Sequence, residues 1–199
     1  MKNLILGVGM LLSAYASAQE CSVENAEEFR KEINAEYANA DKSPLLNKDF
    51  KKFKSLDFYP IDMAFCVEAK LTRTPDEVPF EMPTTTSRRP MYVKYGELKF
   101  KLEDKECKLD VFRNIDLSKV EEFKDHLFLP FTDLTSGNGS YGGGRYIDLK
   151  VPEGDVITID FNRAYNPYCV YNHKYSCPVP PSQNDLMVEV KAGVMDFKK

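Results

Sequence analysis

The chain is expected to fold mainly as β structure, an antiparallel β-sandwich or partly open β-barrel preceded by one or two N-terminal helices. Two observations carry that expectation. Apolar residues recur at helical spacing near the N-terminus, and from residue 61 onward they recur at every second position. The alternating runs are short and are separated by turn sequences rather than long linkers, so roughly seven or more strands follow one another in series. No internal repeat or second domain is evident.

The elements follow in order. Residues 24 to 39 place Ala26, Phe29, Ile33 and Tyr37 on one helical face, with Glu27, Lys31 and Glu32 on the other. Asn25 to Glu28 reads as the start signal. Ser43-Pro44 interrupts, and Asn47 to Lys54 is expected to form a second short helix anchored by Phe50 and Phe53. Met63, Phe65, Val67, Ala69 and Leu71 then alternate with polar neighbours as in a half-buried strand. Phe80 to Thr86 and Met91 to Tyr95 suit a hairpin around Ser87 to Pro90. Gly96 suits a bulge before Leu98, Phe100 and Leu102. Asp104-Lys105 turns the chain into Leu109 and Val111. Pro152-Glu153-Gly154-Asp155 is a good turn between Arg145–Val151 and Val156–Phe161. Leu186, Val188 and Val190 supply the last strand.

Residues 1–18 read as a signal peptide. Lys2 is the positive start, Leu4 to Leu12 the apolar stretch, and Ala16-Ser-Ala18 a small-residue cleavage site before Gln19. The apolar stretch falls short of the ~20 residues that span a bilayer. Glu20 ahead of Cys21 argues against a lipid anchor. The expected product is one domain, 19–199, exported to a periplasm or secreted. The 199-residue chain carries a formal net charge of −4. A nucleic-acid partner is not expected, because such proteins display a basic stripe. The Lys51-Lys52-Phe53-Lys54 run is flanked by Asp49 and Asp57 and suits a solvated face.

All five cysteines (Cys21, Cys66, Cys107, Cys169 and Cys177) lie beyond the signal-like segment. Spacing favours a Cys169–Cys177 disulfide closing a small, proline-stiffened loop in an oxidising compartment. Pairing Cys66 with Cys107 is less attractive, because their strand positions point to opposite faces. No specific role is evident for Cys21.

Two segments carry candidate chemistry. The first runs through Asp133, Thr135 and five glycines to Arg145. Such a backbone approaches ligands closely, and an arginine at its end suits an anion clamp. The Walker pattern is absent. Asn138-Gly-Ser140-Tyr-Gly142 lacks a residue of the nucleophile elbow and its strand-to-helix context. The second segment, Asp160 to Pro181, crowds four tyrosines, four prolines, Cys169, His173 and Cys177 into a stretch without helix or strand period. Cys169, His173 and Cys177 offer soft metal ligands as an alternative to the disulfide, although the spacing differs from zinc modules. No cofactor is indicated.

The strings LFLPFTDLTSG, YGGGRYIDL and DFNRAYNPYCVYNHKYSCPVPP, followed by Asn184, resemble the bacterial and archaeal family DUF1684. The earlier YPID, FEMPTTT and YVKYGELKF segments fit the same pattern. The resemblance implies recurrent positions at Asp133, Thr135, Gly137, Tyr141, Gly144, Arg145, Tyr146, Asp160, Asn162, Tyr165, Asn166, Pro167, Cys169, Cys177, Pro178, Pro180, Pro181 and Asn184. It implies no activity. His173 lies outside that pattern.

Three functional expectations result. The first is a binding module whose two loops form a pocket for a small polar or anionic ligand, through Arg145, Tyr141, Asn162, Tyr165 and Asn166. The second is a hydrolase with Asp133 and Asp160 as acid and base and Arg145 as charge stabiliser. The third is an envelope interaction domain in which the loops only lock the fold. The sequence gives no indication of oligomeric state.

Overall fold

In the computed structural model, residues 21–198 are described. The segment read as a signal peptide lies outside them. Helix α1, Val23–Ala38, begins at Ser22, whose Oγ accepts the Asn25 amide at 3.0 Å. The cap therefore lies upstream of the expected start. Ala26 and Tyr37 are fully buried, and Phe29 and Ile33 are half-buried. Helix α2 is the single turn Asn47–Phe50.

Eight strands follow among the described residues: β1 (Cys66–Arg73), β2 (Phe80–Glu81), β3 (Met91–Leu102), β4 (Lys105–Asn114), β5 (His126–Asp133), β6 (Arg145–Lys150), β7 (Val156–Asp160) and β8 (Asp185–Leu186). They form one mainly antiparallel sheet in the order β6-β5-β4-β3-β1-β7. Strand β2 pairs with β3, and β8 pairs in parallel with β5. The fold class expected from the sequence is the one observed, as a curled half-barrel.

The residues between β6 and β7 do not close a hairpin. Strand β6 pairs with β5 and β7 with β1, so this turn joins the two ends of the strand order. A connection so short between opposite edges requires the sheet to curl. The bulge at Gly96 matches expectation, and the turn expected at Asp104-Lys105 falls one residue earlier. Gly96 sits at the register shift in β3, where an added Cβ would lie 2.7 Å from the Thr72 carbonyl oxygen. Glu103 and Asp104 both take positive φ (48° and 62°) in the two-residue connection from β3 to β4, as a tight hairpin requires.

The concave face of the sheet is filled by Leu98, Leu109, Val111, Leu127, Leu129, Phe131, Ile147 and Ile159, all buried. Val188 and Val190 join that core although only Asp185–Leu186 pairs as strand. Asn184 fastens the C-terminal segment. Its Nδ2 donates to the Asp110 and Pro130 carbonyls at 2.8 and 2.7 Å, and its Oδ1 accepts the Asp110 amide at 2.9 Å. A second cluster docks α1, with the Tyr37 ring edge-on to Tyr171 at 4.9 Å.

Among the described residues one disulfide is present, between Cys21 and Cys66, 45 residues apart. It ties the start of α1 to the start of β1. Cys107, Cys169 and Cys177 are free thiols, so the Cys169–Cys177 bond expected from spacing is not made here. The two cysteines are nonetheless adjacent, the Cys169 amide donating to Cys177 Sγ at 3.2 Å.

Candidate functional site

Strand parity decides where the predicted residues point. Across the β5–β6 ladder, Phe131 faces Arg145, Leu129 faces Ile147 and Leu127 faces Leu149. Those positions all look into the core. The alternate set, His126 with Lys150, Phe128 with Asp148 and Pro130 with Tyr146, looks the other way.

Arg145, expected as an anion clamp, is thus sealed inside with no exposed surface. Its Nη2 donates to Asp133 Oδ2 at 2.9 Å and to the Val190 carbonyl at 2.8 Å, and its Nη1 donates to the Ala192 carbonyl. Asp133 Oδ1 accepts from the Thr135 hydroxyl, the Thr135 amide and the Val190 amide. The arginine and the first expected acid–base residue are therefore partners in a buried ion pair. Asp160, the second, accepts from the Asn162 amide at 3.0 Å and its side-chain nitrogen at 2.9 Å. Arg30 of α1 is electrostatically coupled to it. Neither carboxylate lines either pocket described below.

The asparagines are also committed within the fold. Asn162 makes a reciprocal pair with the Asp62 backbone at 3.0 and 2.9 Å, and Asn166 donates to the Met195 carbonyl at 2.9 Å. Ser140 is buried against Thr135 at 2.8 Å, which removes it as a nucleophile. The glycine-rich loop serves close packing. At Gly144 (φ +88°) an added Cβ would lie 2.5 Å from the Phe131 carbonyl oxygen.

The outward face of β5–β6 forms one wall of a cleft of about 450 Å³, within the usual range for small-molecule sites. The face of α1 carrying Phe29, Glu32, Ile33 and Glu36 forms another wall, and the segment from Tyr165 to Pro178 closes it. Tyr165 reaches the cleft because its backbone pairs with Tyr146 on β6, amide to carbonyl, at 3.0 and 2.9 Å. Asp148 lies at the centre of a polar chain. Its Oδ2 accepts from the Tyr165 hydroxyl at 2.8 Å, and its Oδ1 accepts from His126 Nε2 at 2.8 Å. Opposite, the Tyr168 hydroxyl donates to Glu36 Oε1 at 2.5 Å. The Tyr146 hydroxyl donates to the Pro178 carbonyl. Burial, together with the Asp148 and Glu36 carboxylates, pushes the phenols of Tyr165 and Tyr168 well up, so both stay protonated as donors.

The cleft is acidic. Among the described residues Glu32, Glu36 and Asp148 line it and no lysine or arginine does. Arg163 and Lys174, whose charges rest on the rings of Phe29 and Tyr175 at 5.3 and 4.9 Å, are not part of the lining.

A second pocket of about 500 Å³ is lined by Tyr141, Cys169 and His173, among others. Of the five expected ligand contacts, Tyr165 lies in the cleft, Tyr141 lies in this second pocket, and Arg145, Asn162 and Asn166 are in neither. Among the described residues no group of three or more His, Cys, Asp or Glu is placed to hold a metal ion, so Cys169, His173 and Cys177 do not converge as ligands. No helix among the described residues is long and apolar enough to cross a membrane.

Asp148, His126, Glu36 and Tyr168 are the site residues that sequence reasoning missed as a group. One signal was available. Ile147 and Leu149 mark the inward parity of β6, which turns Arg145 in and Tyr146 and Asp148 out.

The comparisons bear on family and fold. Residues 51–195 match the family described as "Protein of unknown function (DUF1684)". The solution NMR structure of an uncharacterized protein from Haloarcula marismortui is 33% identical, with a TM-score of 0.68. The likeness covers 86% of this chain and 92% of that one. No curated protein matches. With the shared fold, the matched span and the motif residues in place, the chain belongs to the DUF1684 family.

Proposed function

We propose that this protein is an exported binding protein whose cleft between α1 and the β5–β6 face takes a small polar ligand carrying positive charge. One observation carries the reading: among the described residues, three carboxylates and no lysine or arginine line a cleft walled mainly by tyrosines and phenylalanines. Aromatic faces attract cations through their quadrupoles, and carboxylates add direct charge complementarity. Asp148 is pre-oriented by His126 and Tyr165, and Glu36 by Tyr168, so little side-chain freedom is lost on binding. An anionic ligand is disfavoured, since the arginine that would clamp it is consumed by Asp133. The hydrolase reading finds no support in the positions of Asp133 and Asp160.

The test is calorimetric titration with tetramethylammonium and a primary alkylamine, with glucose and sulfate as neutral and anionic comparators. The cations are expected to bind, and Asp148→Asn to weaken them by about 10–100-fold, the scale of one charge-assisted contact. Binding of sulfate alone, or cation binding untouched by Asp148→Asn and Glu36→Gln, would overturn the reading.

Export rests on the Lys2 to Ala18 pattern and is supported by the Cys21–Cys66 disulfide, a bond at home in oxidising compartments. Cleavage before Gln19 would leave Cys21 near the new terminus, where the bond would pin it. Terminal sequencing of the protein recovered outside the cytoplasm is expected to begin at Gln19. An intact Met1 start in cytoplasmic protein would refute export.

A further inference from the structure

We propose that Cys169 and Cys177 form a thiol–disulfide exchange centre, with Cys169 attacking and Cys177 resolving. The cleft reading does not require it. The two cysteines are brought together by separate anchors. Cys169 sits in the 3-10 turn Tyr168–Val170, and its amide donates to Cys177 Sγ at 3.2 Å. Cys177 is held by Thr85, whose Oγ1 accepts the Cys177 amide at 3.2 Å and whose own amide donates to the Cys177 carbonyl at 2.9 Å. Both side chains are largely buried, yet each borders open space from a different side. Cys169 lines the pocket of about 500 Å³ beside His173 and Tyr141, and Cys177 lines the cleft.

The surroundings favour a thiolate on one sulfur only. The Cys177 thiol donates toward Cys169 and lowers it to about 7 against the opposing effect of burial, with Thr85 and the Cys169 and Val170 amides adding to the fall. Cys177 is correspondingly pushed up by its charged neighbour and by burial, and it remains the proton-bearing partner. Cys107, half-buried beside the core, is pushed up by burial and serves as an internal contrast.

The exchange balances with a small disulfide, R–S–S–R, as oxidant. The Cys169 thiolate attacks one of its sulfurs, a Cys169–S–S–R bond forms, and RS⁻ leaves and takes a proton from solvent. Cys177 then loses its proton and attacks Cys169 Sγ, forming the Cys169–Cys177 disulfide and releasing a second RSH. The protein passes two electrons to the small disulfide, whose two thiol products take one proton from Cys177 and one from solvent, the latter matching the proton Cys169 released on becoming a thiolate. The reverse sequence, with thiol as reductant, restores the pair.

The test uses the folded mature chain in glutathione buffers of varied ratio, quenched by alkylation and mapped by peptide mass. The Cys169–Cys177 disulfide is expected to form and reverse, while Cys107 reacts at least about tenfold more slowly. Below neutrality the rate should rise about tenfold per pH unit, then level above about pH 7, as the thiolate fraction saturates. Cys177→Ser should halt at a mixed disulfide on Cys169. The wild-type comparison with Cys107 stands even if that variant does not fold. Two results would overturn the proposal. If Cys169 reacts no faster than Cys107 until urea unfolds the chain, the two are packing thiols. A disulfide that forms but resists glutathione in the folded protein would instead be a static cross-link.

Discussion

Replacing Arg145 by alanine is expected to cost about 3–5 kcal/mol of folding stability, read as a lowered urea midpoint by circular dichroism. The guanidinium has no exposed surface, and the Asp133 side chain is only 1% exposed. Removing the cation leaves that carboxylate buried without its counter-charge, and the Val190 and Ala192 carbonyls without their donor. Asp133→Ala should be comparably damaging, for the converse reason. The double replacement should cost less than the sum of the two, because it leaves no uncompensated charge. Near-native stability in Arg145→Ala would mean the pair holds little together and would return the arginine to the list of functional residues. Ligand binding in the surviving folded fraction is expected to be unchanged, since Arg145 does not line the cleft.

Gly144→Ala is expected to destabilise by about 2–5 kcal/mol, from about 1–2 for a left-handed backbone and about 1–3 for overpacking. Both causes act at once. The residue sits at φ +88°, and its new Cβ would meet the Phe131 carbonyl at 2.5 Å and the Pro180 ring at 2.7 Å. These neighbours are backbone and a stiff ring, so they cannot turn aside as a long side chain would. The same substitution at Gly154, where an added Cβ meets nothing within 4 Å and φ is not in the left-handed range, should change stability little. Equal effects at the two glycines would refute the close-approach explanation. The pair of variants also separates this account from an anion nest. A nest would lose ligand at constant stability, whereas packing loses stability first.

These two predictions show how the loop residues differ from their appearance in sequence. Glycines running into an arginine resemble an anion-binding loop because both structures need a backbone that comes close to something. Here the close neighbours are the chain's own β5 strand and Pro180. Asp160, Asn162 and Asn166 likewise have the residue types of a polar site, yet they fasten the 3-10 turn at Phe161–Arg163 and the C-terminal segment. Composition marks a residue as able to hydrogen-bond. Its partner depends on the path of distant chain.

Cysteine pairing was legible only in part, on the same ground. An eight-residue separation makes Cys169 and Cys177 neighbours, and they are neighbours, but the bond forms between Cys21 and Cys66. Chain separation limits which sulfurs can meet. Here, bringing the start of α1 to the start of β1 depends on how the helix docks.

Local pattern sufficed for the helix over Val23–Ala38, the strand through Val67, Ala69 and Leu71, the Gly96 bulge and the antiparallel β class, whereas Met63 and Phe65, read as part of that strand, form a 3-10 turn before it. Each depends on neighbours a few residues apart, whose facing is set by the 3.6- and 2-residue repeats of helix and strand. The same repeats carried the inward parity of Arg145, had Ile147 and Leu149 been used to read it. The curl of the sheet, the buried Asp133–Arg145 pair and the acidic aromatic cleft were decided only in three dimensions. Glu36 and Tyr168 meet across 132 residues of chain and Asp62 and Asn162 across 100. No periodicity connects such residues, because their meeting is enforced by the short link between edge strands β6 and β7 and by the docking of α1 across the outward face that the link leaves open.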